Sequence, residues 1–296
     1  MTLKIGYFAD GIWAHRAFEL INEDNRFNIS FICVRYDSGD LVLENLAATY
    51  NIDLVKHPRV SSKDFLNSID KYNCDLFVSM SFNQIFKKKF IEFPPLGTIN
   101  CHAGKLPFYR GRNILNWVLI NDEDEFGITV HYVDEGIDTG DIILQRSFPI
   151  SDDDNYSTLL MRAQSGCAEV LFDSLELIYE DKATPIKQNT IHPTGMYCVM
   201  RMVGDEIIDW SRTSREIFNL IRGICPPGPG ARSELNGREI IINQARMIDT
   251  APTYSLIPGA IIGKTQNSIV VKTGDTSLEI IDYEYEGPVM IGARLK

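Results

Sequence analysis

Leu3-Lys-Ile-Gly-Tyr-Phe-Ala9, then Asp10-Gly11, then Ile12, Trp13, Ala17, Phe18, Leu20 and Ile21 at helical spacing, then the apolar run 29–34: this stretch decides the fold. An apolar run, a turn, a periodic segment and a second apolar run spell strand, helix, strand. Strands that are apolar on both faces belong in a parallel sheet covered by helices. The alternation continues through a helix at 41–50, a short strand at 54–55, a serine-capped helix at 61–71 and a buried strand at 75–80. The expectation is an α/β fold with a doubly wound, mostly parallel, Rossmann-like sheet.

Ligands of such sheets sit beyond the carboxyl ends of the strands. Asp10-Gly11, Ser81-Phe-Asn-Gln-Ile-Phe86 and Asn100-Cys-His102 each follow a predicted strand, the last at 97–100. They should share one edge. Beyond them the pattern predicts a helix at 113–120 and a strand at 127–133. The turn Asp134-Glu-Gly-Ile-Asp-Thr-Gly140 then leads into a hairpin partner at 142–145. Apolar residues from Tyr156 to Ile178 keep helical spacing, and residues 188–205 read as irregular. From Glu206 the composition changes to one helix at 214–224, the turn run Pro226-Pro-Gly-Pro-Gly230 and short strands at 239–244, 260–263, 268–272 and 278–283. That pattern suggests a small β-rich, barrel-like domain. The expected division is 1–188, a linker at 189–205, and 206–296.

A chain of 296 residues buries roughly three quarters of its unfolded surface and needs no staples. Its six cysteines lack metal-like or disulfide-framework spacing, and buried, reduced thiols are expected. The first residues lead straight into a strand without a leader pattern, and no apolar run approaches the length that spans a bilayer, so the cytoplasm is the expected compartment. With 29 basic and 40 acidic side chains the net charge is −11, which repels a nucleic-acid backbone. No G-x-S-x-G, P-loop, H-E-x-x-H or dinucleotide fingerprint is present.

The chemistry concentrates between Asn100 and Gly140. Asn100 and His102 stand two apart and project to the same side of a strand. With Asp138 they make an amide, an imidazole and a carboxylate. An amide can steady a developing oxyanion, an imidazole can move a proton, and a carboxylate can orient and support the imidazole. The crowded carboxylates Asp134, Glu135, Asp138 and Asp141 make a poor octahedral site, so no metal is expected. Arg110 and Arg112 flank Gly111 before a helix and suit either phosphate or the solvated surface. His131 fits packing as readily as catalysis.

The run Asn100-Cys-His102-Ala-Gly-Lys105-Leu-Pro-Phe-Tyr109-Arg110-Gly111, with Gly136-Ile-Asp138-Thr-Gly140, resembles the 10-formyltetrahydrofolate-dependent formyltransferases. Ile208-Asp209-Trp210, Ile221-Arg222, Pro229-Gly230-Ala231 and Pro258-Gly259 are similar to the small C-terminal domain of methionyl-tRNA and certain sugar formyltransferases. The resemblance implies Asn100, His102 and Asp138 as the catalytic set. It implies N10-formyltetrahydrofolate as co-substrate, held near Ser81, Phe82, Gln84, Ile85 and Phe86 and near Asp134, Glu135, Gly136 and Ile137. Asp10, Gly11, Lys105, Tyr109, Arg110 and Arg112 are the expected contacts to the acceptor.

The tRNA enzymes resemble one another in a basic insertion after the second strand. Here Val34-Arg-Tyr-Asp-Ser-Gly-Asp40 is short and acidic. Arg110-Gly-Arg112 and Leu115-Asn-Trp-Val-Leu-Ile-Asn121 are similar to the enzyme that formylates UDP-4-amino-4-deoxyarabinose, although Asn113-Ile114 departs from its pattern. The expected acceptor is therefore a nucleotide-linked amino sugar for glycan assembly, with no nucleic-acid or membrane partner and a homodimer as the expected assembly. Methionyl-tRNA formylation, formyl-folate hydrolysis and carrier-bound aminoacyl acceptors are the alternatives.

Overall fold

A computed structural model describes residues 2–296. In chain order the elements begin β1 (Leu3–Ala9), α1 (Ile12–Glu23), β2 (Phe27–Cys33), α2 (Leu41–Thr49), β3 (Asp53–Val55), α3 (Lys63–Ile69), β4 (Leu76–Met80) and α4 (Lys88–Ile91). They continue with β5 (Thr98–His102), β6 (Arg110–Gly111), α5 (Ile114–Ile120), β7 (Glu125–Tyr132), β8 (Ile142–Pro149), α6 (Tyr156–Tyr179), α7 (Gln188–Ile191) and β9 (Tyr197–Cys198). The last are α8 (Ser214–Ile224), β10 (Ala231–Leu235), β11 (Arg238–Met247), β12 (Ile261–Lys264), β13 (Ile269–Lys272) and β14 (Ser277–Glu284).

The chain forms two compact units. The first holds the residues up to Gly111 with Gly127–Phe148 and Met161–Tyr197; the second holds Arg112–Phe126, Pro149–Leu160 and Cys198–Lys296. In the first, seven strands lie in the order β3-β2-β1-β4-β5-β7-β8. β1, β2, β3, β4 and β5 pair in parallel, whereas β7 runs antiparallel to β5. This is the mostly parallel, Rossmann-like sheet that the apolar runs imply. Its order reverses at β1, and the carboxyl ends of β1, β4 and β5 share one edge. One core cluster is aromatic: Phe8 meets Phe31, Phe77 and Phe90 edge-on with ring centroids 5.6, 5.1 and 4.9 Å apart. Asp40 caps α2 by accepting from the Val42 and Leu43 amides, and Ser62 caps α3.

In the second unit five antiparallel strands lie in the order β10-β11-β14-β13-β12, and α8 carries a Thr213/Glu216 capping box. The end of the chain bridges Leu295 to Leu235 and Arg294 to Ala260. β10 escapes a hydropathy pattern because its buried positions are Ala231, Ser233 and Leu235, two of them small. The segment 188–205 carries the short elements α7 and β9 where an irregular chain is expected. All six cysteines are free thiols. Among the described residues no helix is long and apolar enough to cross a membrane.

Candidate active site

β5 carries Asn100 and His102 on one face, and both lie inside the strand rather than beyond it. Antiparallel register sets His131 of β7 directly opposite Asn100 and Thr129 opposite His102. The turn after β7 leaves beside the start of β5 and folds back, so that Asp138 reaches both imidazoles. Asp138 has a left-handed backbone, φ 53°, and its Oδ2 accepts from the Gly111 amide at 3.0 Å. The three expected catalytic side chains thus lie together, with His131 as a fourth member.

Donor roles follow from chemistry. His102 Nε2 lies 2.7 Å from the Tyr109 carbonyl, which can only accept. Nε2 therefore carries the proton, and in the neutral ring the lone pair is on Nδ1. Nδ1 faces Asp138 Oδ2 at 3.6 Å, within ion-pair reach but too long for a hydrogen bond. A proton taken up at Nδ1 would sit between ring and carboxylate. The expectation that Asp138 orients His102 needs correction here: the Tyr109 carbonyl holds the ring, and Asp138 supplies charge.

His131 Nδ1 donates to the Tyr132 carbonyl at 2.7 Å, which makes Nε2 its acceptor. Asn100 Nδ2 donates to that nitrogen at 3.3 Å. One amide N–H is spent on fixing the carboxamide, and the other remains for a ligand oxygen. Asp138 Oδ1 lies 3.5 Å from His131 Nε2.

Burial draws the His102 pKa below that of a free imidazole, and Asp138 offsets this only in part. Burial alone would raise the Asp138 pKa, but the attraction of His102 in its protonated form and the Gly111 amide outweigh it and hold the carboxyl well below the usual carboxylate range. At neutral pH the pair is therefore a neutral base beside an ionised carboxylate.

The turn between His102 and Tyr109 is held by side chains of the neighbouring strands. Thr129 Oγ1 donates to the Gly104 carbonyl at 2.6 Å, and Gln145 Nε2 donates to the Leu106 carbonyl at 2.9 Å. Gly104 is where a side chain cannot fit. A Cβ there would lie 2.5 Å from His102 Nε2 and against the Tyr109 carbonyl oxygen. Gly104→Ala should therefore swing the imidazole off Tyr109 and lower kcat by up to roughly 100-fold. Steady-state kinetics on a variant with wild-type circular dichroism checks this, and an unchanged kcat would show that the contact is dispensable.

The other expected residues divide. Ser81, Ile85, Asp134, Glu135, Gly136 and Ile137 are exposed, and Phe82 is half-buried. Phe86 is not available to a ligand: it is buried and stacks on Phe90 with centroids 4.4 Å apart. Gln84 is committed to the fold, donating to the His57 carbonyl at 2.8 Å and accepting from the Val60 amide at 3.0 Å. Asp10 pairs with Arg35 at 3.3 Å, and the Gly11 amide donates to Asp40 Oδ2 at 2.8 Å. The Tyr109 side chain is buried, and Lys105 is half-buried.

Arg110 is the clearest correction. It is 6% exposed, its Nε and Nη2 donate to Gln188 Oε1 at 3.0 and 2.7 Å, and its Nη1 donates to the Thr194 carbonyl at 3.1 Å. Buried and engaged by Gln188 and Thr194, its side chain is part of the fold rather than a surface offered to a phosphate. Arg112 is exposed. Among the described residues no cluster of three or more His, Cys, Asp and Glu could hold a metal ion.

Comparison with known proteins places residues 22–175 in the family described as formyl transferase and residues 202–294 in its C-terminal domain. The methionyl-tRNA formyltransferase of Pelobacter propionicus is 34% identical over 247 residues, covering 83% of this chain and 75% of the relative. A sugar 3N-formyl transferase solved in the presence of dTDP and 5-N-formyl-THF superposes with a TM-score of 0.70 at 22% identity, covering 100% of this chain and 98% of that one. An N-formyltransferase from Helicobacter canadensis, in complex with folinic acid and dTDP-3-aminofucose, gives 0.70 at 22% identity over 96% and 100% of the two chains.

Proposed function

Because the chain belongs to the formyl transferase family in both its N-terminal and C-terminal parts, we propose that it moves a formyl group from N10-formyltetrahydrofolate to the amine of a nucleotide-linked amino sugar. The folate supplies the activated formyl group. The exposed side chains of Ile85 and Ile137, 77% and 55% accessible, offer apolar surface to a flat heteroaromatic ring. In this reading residues 1–188 carry the chemistry, 189–205 are a connector and 206–296 form a small barrel-like domain.

The observation that carries the chemistry is the meeting of Asn100, His102, His131 and Asp138. The second N–H of Asn100 donates to the formyl oxygen as it gains negative charge. His102 Nδ1 takes the proton that the attacking amine sheds, and Asp138 stabilises the imidazolium that results. The held proton is then positioned for return to the departing folate nitrogen.

The observation that carries the acceptor is the stretch between β2 and α2. It contains Arg35, Asp37 and Asp40, and Asp37 and Asp40 are paired internally to Arg35 and His15. This short, acidic connection and the net charge of −11 suit a compact nucleotide sugar better than a tRNA stem. End-to-end coverage of sugar-enzyme chains supports the same choice. With Arg110 buried against Gln188 and Thr194, Arg112 is the cation offered to the diphosphate. The 34% identity to a methionyl-tRNA formyltransferase favours the second reading, transfer to initiator methionyl-tRNA.

The test is to incubate the chain with N10-formyltetrahydrofolate and UDP-, dTDP- and GDP-linked amino sugars, with charged initiator tRNA in parallel. A formylated sugar nucleotide is expected. Formylated tRNA with every sugar unchanged would select the second reading.

A further inference from the structure

We propose that Gln188 is a positioning residue that locks the Asp138 turn, and that Arg110 acts through it. Gln188 opens α7, 50 residues beyond Asp138, and is 2% exposed. Its amide orientation is unambiguous, because guanidinium groups only donate and carbonyls only accept. Oε1 accepts from Arg110 Nε and Nη2 at 3.0 and 2.7 Å. Nε2 donates to the Asp138 carbonyl at 2.9 Å and to the Gly140 carbonyl at 2.7 Å. All of its hydrogen-bonding capacity is used.

These bonds fall where the turn needs holding. Asp138 is a non-glycine residue at φ 53°, a conformation that costs free energy and persists only when its surroundings fix it. Its side chain is held by the Gly111 amide at 3.0 Å, and its main chain by Gln188. Gly111 and Arg110 are adjacent, so one short strand grips Asp138 twice: directly at the carboxylate and through Gln188 at the carbonyl. Arg110 N in turn donates to the Met196 carbonyl at 3.1 Å, which ties that strand down. The buried guanidinium meets only neutral acceptors among the contacts described, namely Gln188, Thr194 and the Tyr197 ring 5.3 Å away. A neutral amide between cation and turn accepts from one and donates to the other; a carboxylate could not do both.

That asymmetry supplies the test. Gln188→Glu keeps a strong acceptor for Arg110 but turns both donors to the turn into acceptors. Gln188→Met combined with Arg110→Met removes the cation and the donors together, and serves if the first variant does not fold. In a folded variant, kcat should fall by up to roughly 100-fold with the acceptor KM within about twofold. This kinetic arm rests on the formyl-transfer reading. The second arm does not: in the charge-neutral variant Gln188→Met, NMR titration of labelled His102, without donor or acceptor, should move to lower pH, because Asp138 raises the His102 pKa and its carboxylate would withdraw. Gln188→Glu and the double variant each change the local charge and are read by kcat. A folded variant with wild-type His102 titration and wild-type kcat would overturn the proposal. An altered titration without turnover on any acceptor would leave it standing and count against the proposed reaction instead.

Discussion

His102→Ala is expected to lower kcat by roughly 100- to 10,000-fold, the range in which a positioned proton-transfer group contributes. An amine that attacks a formyl carbon becomes cationic as the bond forms, and the step reverses unless the proton leaves. Nδ1 of His102 is a lone pair in a site where burial favours the neutral ring, and the carboxylate that stabilises its protonated form is 3.6 Å away. Alanine removes both the acceptor nitrogen and the N–H that His102 gives to the Tyr109 carbonyl. The loss should fall on kcat and kcat/KM together, because the interaction is realised only as the reaction proceeds. Rates on a variant with wild-type thermal stability check this, and a loss confined to KM would assign His102 to binding.

Asn100→Ala should cost on the order of 100- to 1000-fold, the typical effect of losing one oxyanion donor. His131 Nε2 holds the carboxamide at 3.3 Å, so the remaining N–H has a fixed direction. A preorganised donor is worth most against charge that develops at one oxygen. Asn100→Asp is the sharper comparison: it preserves size but sets a carboxylate against the incoming charge, and it should fall at least as far as alanine. An aspartate variant that retained activity would remove the oxyanion role.

The sheet is readable because β1, β2 and β4 are apolar on both faces, and only a helix-covered parallel sheet buries such strands. Asn100 and His102 are readable as a pair because side chains two apart on a strand share a face. His131 is a different matter. Its partnership with Asn100 depends on the antiparallel register of β5 and β7, which tertiary pairing sets and local sequence does not. Arg110 looks like a phosphate ligand beside Gly111 because the residue that claims it, Gln188, lies 78 positions later in an otherwise unpatterned segment. The carbonyl that orients His102 belongs to Tyr109, and backbone groups leave no mark in a sequence. Gly104 is the one trace of that contact, since only a glycine leaves room for it. Phe86 carries no local signal of its burial: residues 81–87 are irregular, and the ring is placed in the core by stacking on Phe90.

The pH dependence of kcat for wild type and Asp138→Asn tests the central claim most directly, with one acceptor throughout so that its own titration cancels. The account predicts a wild-type acid limb below the usual imidazole range, since burial lowers the His102 pKa and the rate is lost only as the pH falls through that lowered value. In Asp138→Asn the charge that raises this pKa is gone, so the limb should move to still lower pH while the plateau drops. Superimposable profiles, or a limb that moves to higher pH, would contradict it.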